Sequence, residues 1–227
     1  MYPIIEEFVK KKFESFLVKF SGHYQNSRSI DELSLDHWYE ELRYVYCLAK
    51  NKAEEQQVPL IFLGYSLGAL VGAYLIVKSE GLHSFSKQIL LAPATATRRT
   101  SSWIKSTFIF PDSWKIPSFS PDGYRMNKSL PIKAYKILFH YQQFIISSGF
   151  KYVNIPTLIF IDPKDELISI GRLKEYIRRF DLSEYQIVKL LSHMKDRQAK
   201  IHHLIVDDAT MGKENWDRFL EKVYEFI

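Results

Sequence analysis

The chain has 227 residues, of which 46% are hydrophobic and 25% charged, a balance typical of a globular protein with one buried core. No apolar run reaches the length of a membrane span and the N-terminus has no signal-peptide core, so we predict a cytoplasmic protein without stable membrane insertion. The single cysteine, Cys47, excludes an internal disulfide. A net charge of +5 without a recognition motif argues against nucleic-acid binding.

Helices and strands alternate along most of the chain. The apolar pattern predicts helices over 3–13, 36–52, 66–77, 132–146, 167–180 and 215–227, and strands over 15–20, 58–63, 88–91, 155–161 and 185–191. Prolines and glycines interrupt the stretch from 94 to about 130, which we interpret as an irregular excursion. Such alternation predicts an α/β protein with a doubly wound, mostly parallel sheet covered by helices on both faces.

The strand at 58–63 leads into the sequence GYSLG at residues 64–68, which fits the G-x-S-x-G nucleophile elbow. A serine at the tip of such a turn has a strained backbone, and the flanking glycines would let strand and helix pass closely. Leu67 would begin the helix, where its N–H and the positive end of the helix dipole face a developing oxyanion. The pattern alone is common, but strand, elbow and small-residue helix occur here together, so we predict that Ser66 is a nucleophile.

A serine nucleophile needs a histidine that takes its proton and an acid that orients the histidine. On a parallel sheet of this kind, the chain order is serine, acid, histidine, with the partners in loops after later strands. Two candidate acids, Asp162 and Asp165, follow the strand at 155–161. Two candidate bases, His202 and His203, follow the last strand.

These motifs make the chain resemble the α/β-hydrolase superfamily, of the serine esterase and thioesterase type, over most of its length. Residues 155–165 match the family pattern of a proline-initiated strand that ends at the catalytic acid. The leucine-isoleucine pair and the acid after the histidines match the family's histidine motif better from His202 than from its neighbour. The resemblance implies a catalytic triad of Ser66, Asp165 and His202, with Asp162 and His203 as the alternatives.

The first residues depart from that family pattern. In the family, early strands and a histidine-glycine loop, which carries a second oxyanion donor, precede the first helix, whereas this sequence starts at that helix. Leu67 is then the one oxyanion donor that we identify, and loss of a donor typically costs roughly 10²–10³ in turnover. Two interpretations stay open: the sequence is an N-terminally shortened version of a longer protein, or the protein stabilises the oxyanion with the Leu67 N–H and an unusual second group. We therefore expect weak or absent activity unless another donor exists. A sheet edge left by absent strands would favour self-association, which leaves a homo-oligomer open.

By the same resemblance, residues 94–150 form a mostly helical lid inserted between two parts of a hydrolase core, 1–93 and 151–227. The segment is rich in aromatic residues, which suit an apolar wall over an acyl chain. We expect Tyr65, beside the nucleophile, to contact substrate. Arg98 and Arg99, just after a strand end, would favour an anionic substrate group.

The predicted reaction is hydrolysis of a small-molecule carboxylic ester or thioester through an acyl-enzyme intermediate, without metal or organic cofactor. A metal site built from the two histidines and Asp207 and Asp208 is a weaker alternative, because adjacent histidines are not spaced for one helix face. Two further hypotheses stay open: a catalytically impaired hydrolase-like binding protein, and an acyltransferase with the same triad. A neutral histidine base predicts activity that falls below about pH 6–7.

Overall fold

The computed structural model describes residues 2–22, 32–99, 103–118, 121–124, 127–192, 197 and 200–227. Its helices are α1 (Tyr2–Lys10), α2 (His37–Gln56), α3 (Leu67–Lys78), α4 (Trp103–Ser106), α5 (Ile132–Ser147), α6 (Ile170–Arg179), α7 (Asp208–Met211) and α8 (Lys213–Phe226). Its strands are β1 (Ile61–Tyr65), β2 (Lys87–Leu91), β3 (Lys115–Pro117), β4 (Ser129–Pro131), β5 (Thr157–Ile161) and β6 (Tyr185–Lys189). Short 3₁₀ turns lie at Ala94–Ala96, Thr107–Ile109 and Asp122–Tyr124.

The predicted parallel sheet is confirmed. Four strands pair in the order β1-β2-β5-β6, and each pairing is parallel. Tyr65 of β1 is level with Leu91 of β2, and Leu91 with Phe160 of β5. The loops that follow these strands therefore leave the same edge of the sheet, which brings distant parts of the chain together there.

Helix α3 is the centre of the hydrophobic core. Every residue from Ala69 to Val77 is buried, and the helix packs against β1, α2 and α5. Tyr74 of α3 stacks on Tyr141 of α5, with ring centroids 3.8 Å apart and planes 7° from parallel. On the other side of the core, Phe219 of α8 meets Phe160 of β5 edge to face at 4.8 Å. Helix α5 thus belongs to the packed core along much of its length.

Two predicted features differ from the structure. Residues 15–20 form no strand: a groove separates them from β1, so they have no ladder partner there. The excursion between 94 and 130 is not wholly irregular, because β3 and β4 form an antiparallel pair within it. The division into a core and a lid at 94–150 stays a prediction. Among the described helices, none has the length and apolar character needed to cross a membrane.

Candidate active site

Ser66 occupies the turn between β1 and α3. Its backbone has φ 48° and ψ −110°, a strained conformation for a residue with a side chain. Two hydrogen bonds hold the turn: the Ser66 N–H donates to the carbonyl of Leu91 at 2.9 Å, and the Ala94 N–H donates to the Ser66 carbonyl at 3.1 Å. The end of β2 and the loop after it therefore fix the serine at the carboxyl edge of the sheet.

Close approach at the elbow depends on Gly64 and Gly72. A Cβ atom at Gly64 would lie 2.8 Å from the backbone N and Cα of Ala69, and one at Gly72 would lie 2.4 Å from the ring of Phe62. A Cβ at Gly68 would meet nothing within 4 Å. The sequence argument that both elbow glycines permit close packing is thus correct for Gly64 and wrong for Gly68, since Gly68 faces open space.

Ser66, His203 and Asp165 form a continuous hydrogen-bonded chain. His203 Nε2 lies 2.9 Å from Ser66 Oγ, and His203 Nδ1 lies 2.9 Å from Asp165 Oδ2. A proton on Nδ1 donates to the carboxylate and leaves Nε2 free to accept from the serine hydroxyl. This is the arrangement that nucleophilic catalysis by serine requires.

The loop after β5 holds the Asp165 carboxylate in place. Asp165 is fully buried, and its Oδ1 accepts the backbone N–H groups of Leu167 and Ile168, each at 2.8 Å. Arg98 Nε donates to the Asp165 carbonyl at 2.6 Å and ties the loop to the segment after β2. Oδ2 is then the oxygen that faces His203.

His202 lies on a different carboxylate, so the preference for it over His203 is corrected. Its Nδ1 is 2.6 Å from Asp162 Oδ2, which also accepts from Arg197 Nη1 at 2.7 Å. His202 and His203 are the central residues of a turn in which the Leu204 N–H donates to the Ile201 carbonyl at 3.4 Å, and it is His203 that lies against Ser66. The two histidines bind separate acids rather than sharing one centre.

Asp162 lies in a buried polar cluster behind the proposed triad. Its side chain is 1% exposed and that of Arg197 is 6% exposed. Burial acts to raise the pKa of Asp162. Its carboxylate accepts hydrogen bonds from Ser192, His202, the Lys164 amide and Arg197, and these bonds outweigh the effect of burial and lower the pKa below its ordinary value. Asp162, the alternative acid, thus binds His202 rather than Ser66.

Two further predicted residues border the nucleophile. Leu67 is the first residue of α3, and a backbone N–H at that position has no acceptor within the helix. The Tyr65 hydroxyl donates to the carbonyl of His203 at 3.2 Å. Burial raises the pKa of Tyr65, and the charges of Asp165 and Glu166 raise it further, so this hydroxyl stays a donor.

A groove of about 1760 Å³ opens beside Ser66 and His203. Its walls are residues 13–20 on one side and the β1 strand on the other, with apolar side chains of α2 along it. β1 is an outer strand of the described four-stranded sheet, and the groove runs along that strand. From the predicted lid, Trp103, Tyr124 and Tyr135 also line it.

Arg98 and Arg99 are not among the residues that line this groove. The Arg98 side chain donates to the carbonyls of Asp165 and Pro163, and Arg99 is exposed. The contact of these arginines with an anionic substrate group stays a prediction, which their absence from the groove lining does not favour. Arg98 instead connects two loops at the sheet edge.

Sequence reasoning missed two residues that bind the histidine loop. Glu166 accepts the backbone N–H groups of His202 and His203, and Arg197 donates to the carbonyl of Ile201. Both act on backbone atoms, so no motif marks them. The position of Glu166 directly after Asp165 was the one available signal, because any residue there lies close to the proposed base.

Comparison of the sequence with family models and with the sequences of curated proteins gives no match. Solved structures do resemble the fold. A monoglyceride lipase from Saccharomyces cerevisiae superposes with a TM-score of 0.68 at 11% identity, over 90% of this chain and 73% of the lipase. A metagenome-derived lipolytic enzyme gives 0.65 at 15% identity, over 91% and 80% of the two chains. A monoacylglycerol lipase from Paleococcus ferrophilus gives 0.64 at 11% identity, over 92% and 82%.

The chain has the α/β-hydrolase fold. Identities of 11–15% extend this likeness to the fold alone. The resemblance drawn from the elbow, the acid loop and the histidine motif is confirmed at that level. Within the α/β-hydrolase fold, Ser66, Asp165 and His203 occupy the loops after β1, β5 and β6, which agrees with the predicted chain order.

Proposed function

We propose that this protein is a serine hydrolase that cleaves a carboxylic ester or thioester. The observation that supports the proposal is the pair of 2.9 Å contacts from His203, one to Ser66 Oγ and one to Asp165 Oδ2. The strained φ of 48° at Ser66 also favours a functional role, because such a backbone persists only where surrounding structure maintains it.

The proposed reaction has two halves. His203 Nε2 takes the Ser66 proton as Oγ attacks the substrate carbonyl, and Asp165 stabilises the imidazolium that forms. The tetrahedral oxyanion accepts from the Leu67 N–H at the positive end of α3. The proton then passes to the leaving alcohol or thiol, and water releases the acyl group by the same steps.

The groove suggests the class of substrate. Its walls are predominantly apolar, and its volume of about 1760 Å³ exceeds the roughly 300–1,000 Å³ of ordinary ligand pockets. A long acyl chain would bury apolar surface along it. The names of three structural neighbours, which are lipolytic or monoglyceride-cleaving enzymes, support an acyl ester as the substrate.

Intact-protein mass after exposure to an activated fluorophosphonate tests the proposal, since the probe reports an activated serine without the natural substrate. We expect one adduct on the wild type and none on Ser66→Ala. A folded wild-type protein that forms no adduct would refute the hydrolase proposal.

A second candidate is a hydrolase-like binding protein with little catalysis. The outer position of β1 and the size of the groove beside it favour this alternative, because a wide, open site binds apolar ligands yet excludes water poorly. Saturable binding of a fluorescent fatty acid by a wild type that forms no adduct would favour the binder. The acyltransferase hypothesis is tested by acyl transfer to an added alcohol, and a cytoplasmic location stays a prediction.

A further inference from the structure

Glu166 makes a paired contact with the backbone of the histidine loop. Its Oε1 accepts the His202 N–H at 2.9 Å, and its Oε2 accepts the His203 N–H at 3.0 Å. One carboxylate therefore holds two consecutive amides. Hydrogen bonds from N–H groups to a charged acceptor are stronger than those between neutral groups, and a paired contact also fixes orientation.

The loop that carries His203 needs such a contact. Residues 200–206 lie outside the helices and strands, between β6 and α7. Two side chains hold its carbonyls, because Tyr65 donates to the carbonyl of His203 and Arg197 donates to that of Ile201. The Glu166 carboxylate is the acceptor for the amides of both histidines. Together these contacts determine the direction of the His203 imidazole.

The chain position of Glu166 connects the proposed acid and base. Asp165 binds the His203 side chain, and the very next residue binds the His203 backbone. The loop after β5 thus holds both ends of one histidine. A shift of the backbone by 1 Å would lengthen the 2.9 Å contact between Nε2 and Ser66 Oγ, and misplacement on this scale costs about 10²-fold in rate.

We infer that Glu166 is a positioning residue for His203, an inference that rests on the proposed function. Glu166 is exposed and lines the groove, and exposed charges add little to the stability of a fold. Its contribution is to the geometry of the base rather than to folding. It takes no part in proton transfer, which runs through Ser66, His203 and Asp165.

The test compares Glu166→Gln with Glu175→Gln, a matched change at an exposed glutamate of α6. Glutamine has one acceptor oxygen, and an NH2 group, which only donates, replaces the other, so it cannot accept one amide on each terminal atom as Glu166 does. We expect hydrogen exchange at the His202 and His203 amides to accelerate in Glu166→Gln. With an ester substrate we expect kcat to fall about 10- to 100-fold while KM changes less than about twofold. The melting temperature of Glu166→Gln should equal that of Glu175→Gln. The kcat of Glu175→Gln should match that of the wild type.

Three results would overturn the inference: unchanged exchange at both amides, a kcat within about twofold of the wild type, or equal losses in both variants. Glu166→Asp, which keeps both acceptor oxygens, should recover part of the lost kcat, and a variant no better than Glu166→Gln would also count against it. The fluorophosphonate adduct of the wild type distinguishes a failure of the Glu166 inference from a failure of the hydrolase proposal. Without that adduct the hydrolase proposal fails, and amide exchange alone then decides whether Glu166 holds the loop.

Discussion

His202 Nδ1 lies 2.6 Å from Asp162 Oδ2, in a cluster that excludes it from the nucleophile. The neighbouring histidine makes the equivalent contact with Asp165 at 2.9 Å and continues to Ser66. Two histidine–carboxylate pairs therefore lie side by side, on acids that are three positions apart in the chain. The pair of His203 and Asp165 is the one whose second imidazole nitrogen, Nε2, lies against the Ser66 hydroxyl.

This pairing predicts opposite results for two adjacent histidines. Replacement of His203 by alanine removes the proposed base, so the rate of fluorophosphonate labelling at Ser66 should fall by more than about 10³-fold. His202→Ala leaves that base in contact with Ser66 and should keep the rate within about tenfold of the wild type. Labelling rates followed by intact mass provide the comparison. A loss confined to His202→Ala would reverse our assignment.

The sequence was sufficient for the parallel sheet because helix and strand periods alternate clearly from 36 to 91 and again after 155. It also led to the proposals for Ser66, which directly follows β1, and for Asp165, which lies four residues after the end of β5. It did not separate His202 from His203, since the direction of a loop side chain depends on contacts such as that of Glu166 with the backbone.

The predicted strand at 15–20 fails for a related reason. Its residues have strand character, but a strand also needs a hydrogen-bonding neighbour, and the groove lies between this segment and β1. The substrate role expected for Arg98, which stays a prediction, rested on charge and chain position. Neither property indicates that its guanidinium binds backbone carbonyls.

Asp162 should stabilise the folded protein in a pH-dependent manner. It is buried with Arg197, so Asp162→Asn leaves a buried cation without its partner and should lower the free energy of unfolding at pH 7 by about 3–5 kcal/mol. Asp217→Asn, in an exposed pair with Lys213, should cost less than about 1 kcal/mol. Urea unfolding measures both.

The sign of the pH effect follows from the lowered pKa of Asp162. A lowered folded-state pKa means that the stabilisation is fully present above the unfolded value of about 3.9 and is lost as the pH falls through the folded value. The difference between wild type and Asp162→Asn should therefore be constant from pH 7 to about 5 and shrink at lower pH. A difference that grows on acidification would contradict the assignment.

The two elbow glycines should respond differently to alanine. Gly64→Ala places a methyl group 2.8 Å from backbone atoms of Ala69, which cannot move without shifting α3, and should destabilise by about 1–3 kcal/mol. Gly68→Ala enters open space within the helix and should be neutral or stabilise by up to about 1 kcal/mol. Denaturant unfolding of both variants checks the expectation, and equal effects would show that the close approach is not the cause.

Arg98 and Arg99 should also differ. Arg98→Gln removes the 2.6 Å contact with the Asp165 carbonyl and should lower kcat about tenfold through misplacement of the acid. Arg99→Gln changes an exposed side chain and should leave kcat unchanged. Neither substitution should alter the preference between neutral and anionic esters, because neither side chain lines the groove. A changed preference would return Arg98 or Arg99 to the substrate site.

The apolar groove predicts a preference for long acyl chains. Each buried methylene contributes about 0.8 kcal/mol, so kcat/KM for a series of p-nitrophenyl esters should rise with chain length until the groove is filled. Ala49 of α2 lines the groove, and Ala49→Trp would occupy space that a long chain needs. We expect this variant to lose at least about tenfold in kcat/KM with a twelve-carbon ester and less than about twofold with the acetate, which serves as the internal control. Equal losses on both esters would indicate that the acyl chain lies elsewhere, while a flat chain-length profile in the wild type would indicate that the groove takes no part in substrate binding.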